Sequence, residues 1–198
     1  MYLSRLTIQP ARVALGWLSN PYRIHQRLMM ACAQEPRLLF RLEEEEAVPR
    51  ILVQTHLLPD WAAAFNAFPI LSGLPEIKTF DPQLAEGGLY AFRLLANPTA
   101  KRGGARLGLG REEEQSAWLT RRLADAGADV LRCAAQPYRV QRSAKSAGAE
   151  GDGQTHLVVP FDGLLVCRDP ARLRQALGAG IGPAKGYGCG LLSLARAA

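Results

Sequence analysis

Long apolar runs are missing from this 198-residue chain. No stretch approaches the roughly 18 residues that a membrane-spanning helix needs. The opening MYLSRLTIQP enters a strand-like run with no leader ahead of it, so a cytoplasmic protein with no membrane partner is expected. Cysteines are few and scattered. Cys32, Cys133, Cys167 and Cys189 include no C-x-x-C pair and read as reduced thiols rather than a disulfide framework. Three histidines and these cysteines show no ligand spacing. The acidic runs Glu43–Glu46 and Glu112–Glu114 read as solvated faces, so neither metal nor cofactor is expected. A serine-nucleophile signature is absent, and no aromatic ribonucleoprotein motif marks the strands, which argues against a generic single-strand RNA binder.

What is present leans toward a polyanion. The net charge is +6 and the isoelectric point is near 9.5, a balance suited to nucleic acid or another anionic surface. Near the C-terminus, Gly178–Gly190 holds six glycines in thirteen residues around Lys185. Glycine tolerates positive φ and presents bare N–H groups, the material of an anion-binding nest. The loop follows a helical segment and precedes a short apolar strand, the reverse of a dinucleotide fingerprint. Lys185-Gly186 is followed by Tyr187 where a P-loop needs a hydroxyl. A longer polyanion suits it better than a mononucleotide.

Hydrophobic content of 48% suffices for real cores. Tyr2–Gln9 reads as a strand, and Asn20-Pro21 opens a helix to about Glu35, with Ile24, Leu28 and Ala31 on its buried stripe. Arg37–Leu42 and Ile51–Leu57 follow as strands, Asp60 caps a helix over Trp61–Phe68, and Ile77–Phe80 is a fourth strand. That order is β-α-β-β-α-β, the ferredoxin-like pattern. The second half repeats it. Leu89–Ala96 is a strand and Glu112–Ala126 a helix. Val130–Ala134 and Tyr138–Gln141 are short strands before a Ser/Gly-rich stretch, Ser143–Gly153. Asp162-Gly163 reads as a tight turn between Leu157–Phe161 and Leu164–Cys167. A last helix starts at Asp169-Pro170, and Leu191–Leu194 closes the sheet. The expected class is α+β, with tandem ferredoxin-like (RRM-like) domains over 1–82 and 88–198 and a linker near Pro82–Gly88.

Tyr22 and His25 stand at i and i+3 in the first long helix, as neighbours on one face beside the Ile24/Leu28 stripe. An imidazole next to a phenol can move protons near neutral pH; a hydrogen-bonded boundary histidine fits the same pattern. His56 and His156 have no comparable neighbour and read as structural. Cations are better organised. Arg23 and Arg27 flank the pair, Lys101, Arg102 and Arg106 lie in an acid-free stretch, and Arg139, Arg142 and Lys145 form another. Ordinary surface charge would look similar, yet two such clusters favour a phosphate-tracking groove for a duplex or hairpin.

Four strings taken in order, NPYRIHQRL, FRLLANPT, EQSAWLTRRL and GIGPAKGYGCGLLSLA, resemble the CasE family, the CRISPR repeat endoribonucleases of type I-E Cascade. The resemblance spans nearly the whole chain and rests most on the C-terminal string. It implies tandem ferredoxin-like domains and metal-independent cleavage of pre-CRISPR RNA at the base of each repeat hairpin. The product would stay bound, with the enzyme as a Cascade subunit. By the same resemblance His25 matches the catalytic histidine and Tyr22 its partner tyrosine. Gly180, Gly182, Lys185, Gly186 and Gly188 fall in the RNA-contacting loop. Where relatives can carry an auxiliary lysine, this chain has Met29, Met30 and Ala31, and its Ala100–Gly110 connection is short. The implied reaction is attack by a ribose 2′-hydroxyl on the adjacent phosphodiester, leaving a 2′,3′-cyclic phosphate. A non-catalytic hairpin-binding subunit and a protein docking an acidic partner are the alternatives.

Overall fold

A computed structural model describes residues 1–32, 34–43, 48–143 and 154–197. The chain forms two compact units. Met1–Asp81, Arg142, Ser143, Gln154 and Lys185–Gly188 belong to one; Pro82–Gln141, Thr155–Ala184 and Cys189–Ala197 belong to the other. Lys185–Gly188 lies inside the stretch expected for the second domain, and it packs with the first unit.

The first unit runs β1 (Tyr2–Thr7), α1 (Arg12–Leu18), α2 (Pro21–Met30), β2 (Leu39–Glu43), β3 (Arg50–Thr55), α3 (Trp61–Phe65) and β4 (Glu76–Thr79). Its sheet order is β2-β3-β1-β4, antiparallel throughout. Leu6, Ile24, Leu28, Phe40, Ile51 and Val53 build its core. At the start of α2 the Asn20 side chain accepts the Tyr22 N–H at 3.1 Å, with Pro21 in the first turn. This is the cap that the sequence predicts.

Helix α2 stops at Met30, short of the expected Glu35. The N–H groups of Ala31 and Cys32 turn back to Leu28 and Met29, and Glu35 is drawn elsewhere. Its buried carboxylate accepts the backbone N–H groups of Arg37 (3.3 Å), His56 (2.9 Å) and Leu57 (2.8 Å). The His56 ring supplies another contact, Nδ1 lying 2.9 Å from Glu35 Oε1, so His56 does have a neighbour after all. Helix α1 was not expected. It has no side-chain cap and carries Gly16 in its interior, so the start and propensity signals are both absent.

The second unit runs β5 (Leu89–Ala96), β6 (Thr99–Arg102), β7 (Ala105–Gly108), α4 (Glu112–Asp125), β8 (Ala128–Ala135), β9 (Arg139–Ser143), β10 (Gln154–Cys167), α5 (Pro170–Ala179) and β11 (Leu192–Arg196). Its sheet order is β11-β5-β10-β8, with β9 on β10, while β6 and β7 form a separate ribbon. Leaving β9 and the ribbon aside, the spatial order is that of the first unit. Both units are ferredoxin-like, and the class is α+β.

Asp162-Gly163 is not a turn. Both residues lie within the continuous β10, where Gly163 pairs with Phe92 of β5 and Cys133 of β8. A Cβ at Gly163 would sit 2.3 Å from the Arg132 carbonyl oxygen and 2.8 Å from the Phe92 ring. Glycine is there for close strand approach beside an irregularity in register at Leu164/Leu165. Asp162 instead accepts the Arg93 Nε–H at 2.8 Å.

Candidate active site

Helix α2 sets Tyr22 and His25 side by side because Ile24 and Leu28, both fully buried, fix its rotation against the sheet. Each of the pair is half-buried. The imidazole of His25 lies nearly parallel to the Phe40 ring of β2, with centroids 6.2 Å apart and planes 13° apart. On the same helix rests a single 3-10 turn, Lys185–Tyr187. Tyr187 stacks on Tyr22, centroids 6.0 Å apart and planes at 28°. Gly186 covers the imidazole so closely that a Cβ there would lie 3.4 Å from Cδ2 and 3.6 Å from Nε2 of His25.

Burial lowers the pKa of His25 below the ordinary 6.5, because desolvation disfavours the imidazolium. Its Nδ1 is buried and meets no hydrogen-bond partner among the described residues. The ring is therefore held neutral near pH 7, ready to exchange a proton. Tyr187 and Phe40 went unnoticed in the sequence as parts of this site. Tyr187 registered only as the residue that spoils a P-loop. Phe40 looks like any core position of a strand.

The glycines of the loop bring backbone against the protein's own rings. Gly182, at φ +78, leaves room for Trp118, whose ring would be 2.8 Å from a Cβ. Gly188, at φ +85, lies against Phe40, 3.3 Å from a Cβ. Gly180 ends α5 at φ 75. Lys185 is half-buried in the 3-10 turn. Of the expected cations, Arg23 is exposed on α2. Arg27 is committed, with Nη1 donating to the Ala64 carbonyl at 3.2 Å and its guanidinium 4.8 Å from the Phe68 ring centroid. Lys101 and Arg102 stand on β6 of the separate ribbon, and Arg139 and Arg142 on β9. Lys145, like most of the Ser143–Gly153 stretch, lies outside the described residues. Among the described residues no three His, Cys, Asp or Glu side chains gather as a metal would require.

The two units define a tandem ferredoxin-like protein of the α+β class, with His25 and Tyr22 beneath the Lys185–Tyr187 turn. The family model described as CRISPR associated protein matches residues 1–196, and the chain belongs to that family, among the CasE endoribonucleases. It is 35% identical to the CRISPR-associated endoribonuclease Cse3 of Thermus thermophilus, over 98% of this chain and 100% of that protein. To the CRISPR system Cascade subunit CasE of Escherichia coli it is 32% identical, over 98% and 99%. The solved structure of Thermus thermophilus Cse3 bound to an RNA representing a pre-cleavage complex matches with a TM-score of 0.87 at 32% identity, covering 98% of each chain.

Proposed function

We propose that this chain is the endoribonuclease that cleaves pre-CRISPR RNA at the base of its repeat hairpins and remains on the product as a Cascade subunit. The observation that carries the residue assignment is the neutral, half-buried His25 beside Tyr22, both covered by the Lys185–Tyr187 turn. The substrate brings its own nucleophile, the ribose 2′-hydroxyl, so no metal-bound water is needed. What remains is proton transfer, in-line geometry and stabilisation of phosphorane charge.

His25 transfers the proton through Nε2, since Nδ1 is buried. Tyr22 orients or shares that transfer, and Lys185 supplies positive charge beside the pair. Arg139, Arg142 and Lys145, with Lys101 and Arg102, are assigned to RNA phosphates, and each ferredoxin-like unit is a domain. Single-turnover cleavage of a repeat hairpin in excess EDTA tests this reading. Wild type should yield a 2′,3′-cyclic phosphate. His25→Ala should lose about 10²–10⁴-fold in rate with hairpin affinity nearly intact. A loss under tenfold removes His25 from the mechanism, and activity that returns only with a divalent ion defeats metal independence.

A further inference from the structure

Helices α1 and α2 of the first unit enclose a groove of about 490 Å³, open to solvent and away from His25. Its floor is Trp17 and Phe68; Val13 and Met30 stand on its walls, 70% and 53% exposed. Arg23 and Arg27 supply the charge. No carboxylate is among its lining residues, and the first 34 residues contain four arginines and no Asp or Glu.

Gly16 of α1 also lines the groove. It sits inside a helix, where glycine is among the poorest residues. A Cβ there would meet nothing within 4 Å, so neither packing nor backbone conformation of this chain asks for glycine. The missing side chain leaves the groove open at this position. Two exposed apolar side chains, Val13 and Met30, share this groove with two arginines, the composition of a small docking site.

Base stacking does not fit this floor. Trp17 and Phe68 meet edge to face, with centroids 5.8 Å apart, and a Phe68 face is already taken by the Arg27 guanidinium. A trough between two helices, apolar below and cationic at the rim, instead matches the helix-in-groove mode of peptide recognition. Charge complementarity selects the partner.

We propose that this groove is the seat of another protein subunit of the assembly, and that it takes an amphipathic helix whose aliphatic stripe is flanked by carboxylates. The inference rests on the Cascade reading above for the identity of the assembly.

The test reconstitutes the assembly from this chain, a repeat-hairpin RNA and the purified remaining Cascade proteins of the same organism, read by native mass spectrometry. Gly16→Leu fills the groove and Val13→Glu places a carboxylate on its wall. Each should weaken incorporation at least tenfold while the hairpin cleavage rate and hairpin affinity stay at wild-type values and the melting temperature does not fall. A photo-crosslinking residue at position 13 should capture a subunit through a segment rich in Asp or Glu and aliphatic residues. Normal incorporation of both variants overturns the proposal, as does capture of a segment without carboxylates. Loss of hairpin affinity in the same variants makes the groove an RNA surface and also overturns it. Failure of the wild type to cleave the hairpin strikes the nuclease reading; cleavage without incorporation into any assembly strikes the docking proposal and the Cascade role alone.

Discussion

His25 shows how one side chain is tuned by its cover. Phe40 and Gly186 displace water from the ring, and desolvation lowers its pKa below 6.5. The sign has a direct kinetic consequence. If the imidazole is the base, cleavage survives to pH values below 6.5 before falling; if it is the acid, the rate falls as pH rises through that same lowered value. In either case the limb of the kcat/KM profile owed to His25, which reports the RNA-free protein, lies below 6.5, and a limb at or above 6.5 in that profile would contradict the burial seen here. The neighbouring glycines separate by conformation. Gly186 is not held at positive φ, and a Cβ there would make ordinary contact with the imidazole. Gly186→Ala should therefore fold with a stability change within about 0.5 kcal/mol. Gly188→Ala at φ +85 should lose about 1–2 kcal/mol, measured by chemical denaturation.

At the level of elements, Glu35 ties the segment after α2 to the end of β3 through three backbone donors and His56. Burial alone would push its pKa up. The hydrogen bonds from Leu57, His56 and Arg37 outweigh that and leave it lowered. A carboxylate whose folded pKa is depressed adds stability at neutral pH that is lost as pH falls through and below 4.5. Glu35→Ala should cost roughly 2–3 kcal/mol at pH 7, with the deficit shrinking in acid. An equal deficit at pH 7 and pH 3 would show that the carboxylate's charge is irrelevant. Glu35 also explains where the sequence misled. Helix periodicity continued through it, yet a buried partner claimed the side chain. Asp162-Gly163 failed for the same kind of reason, since a turn dipeptide cannot announce that two neighbouring strands crowd it. Asn20-Pro21 was legible because its cap is local. Tyr22 and His25 were legible by spacing, whereas Phe40 and Tyr187 join them only through tertiary contact.

For the whole molecule, the excess of cations should appear as salt dependence. Neutralising Arg139 should weaken hairpin binding across stem sequences and reduce the salt slope by about one unit, as each phosphate contact releases counterions. Titrations at several salt concentrations check this; an unchanged affinity and slope would move the phosphate contacts off β9. The first unit also has a peculiarity of timing. The ribosome makes His25 160 residues before Lys185, where the turn that covers it begins. Helix α2 can find Ile24 and Leu28 their places long before then. Its imidazole stays uncovered and Tyr22 unstacked until the distant turn emerges. A nascent or prematurely stopped chain therefore carries both side chains proposed for catalysis without the turn that holds them. Unfinished copies of the protein should leave the cell's RNA uncut.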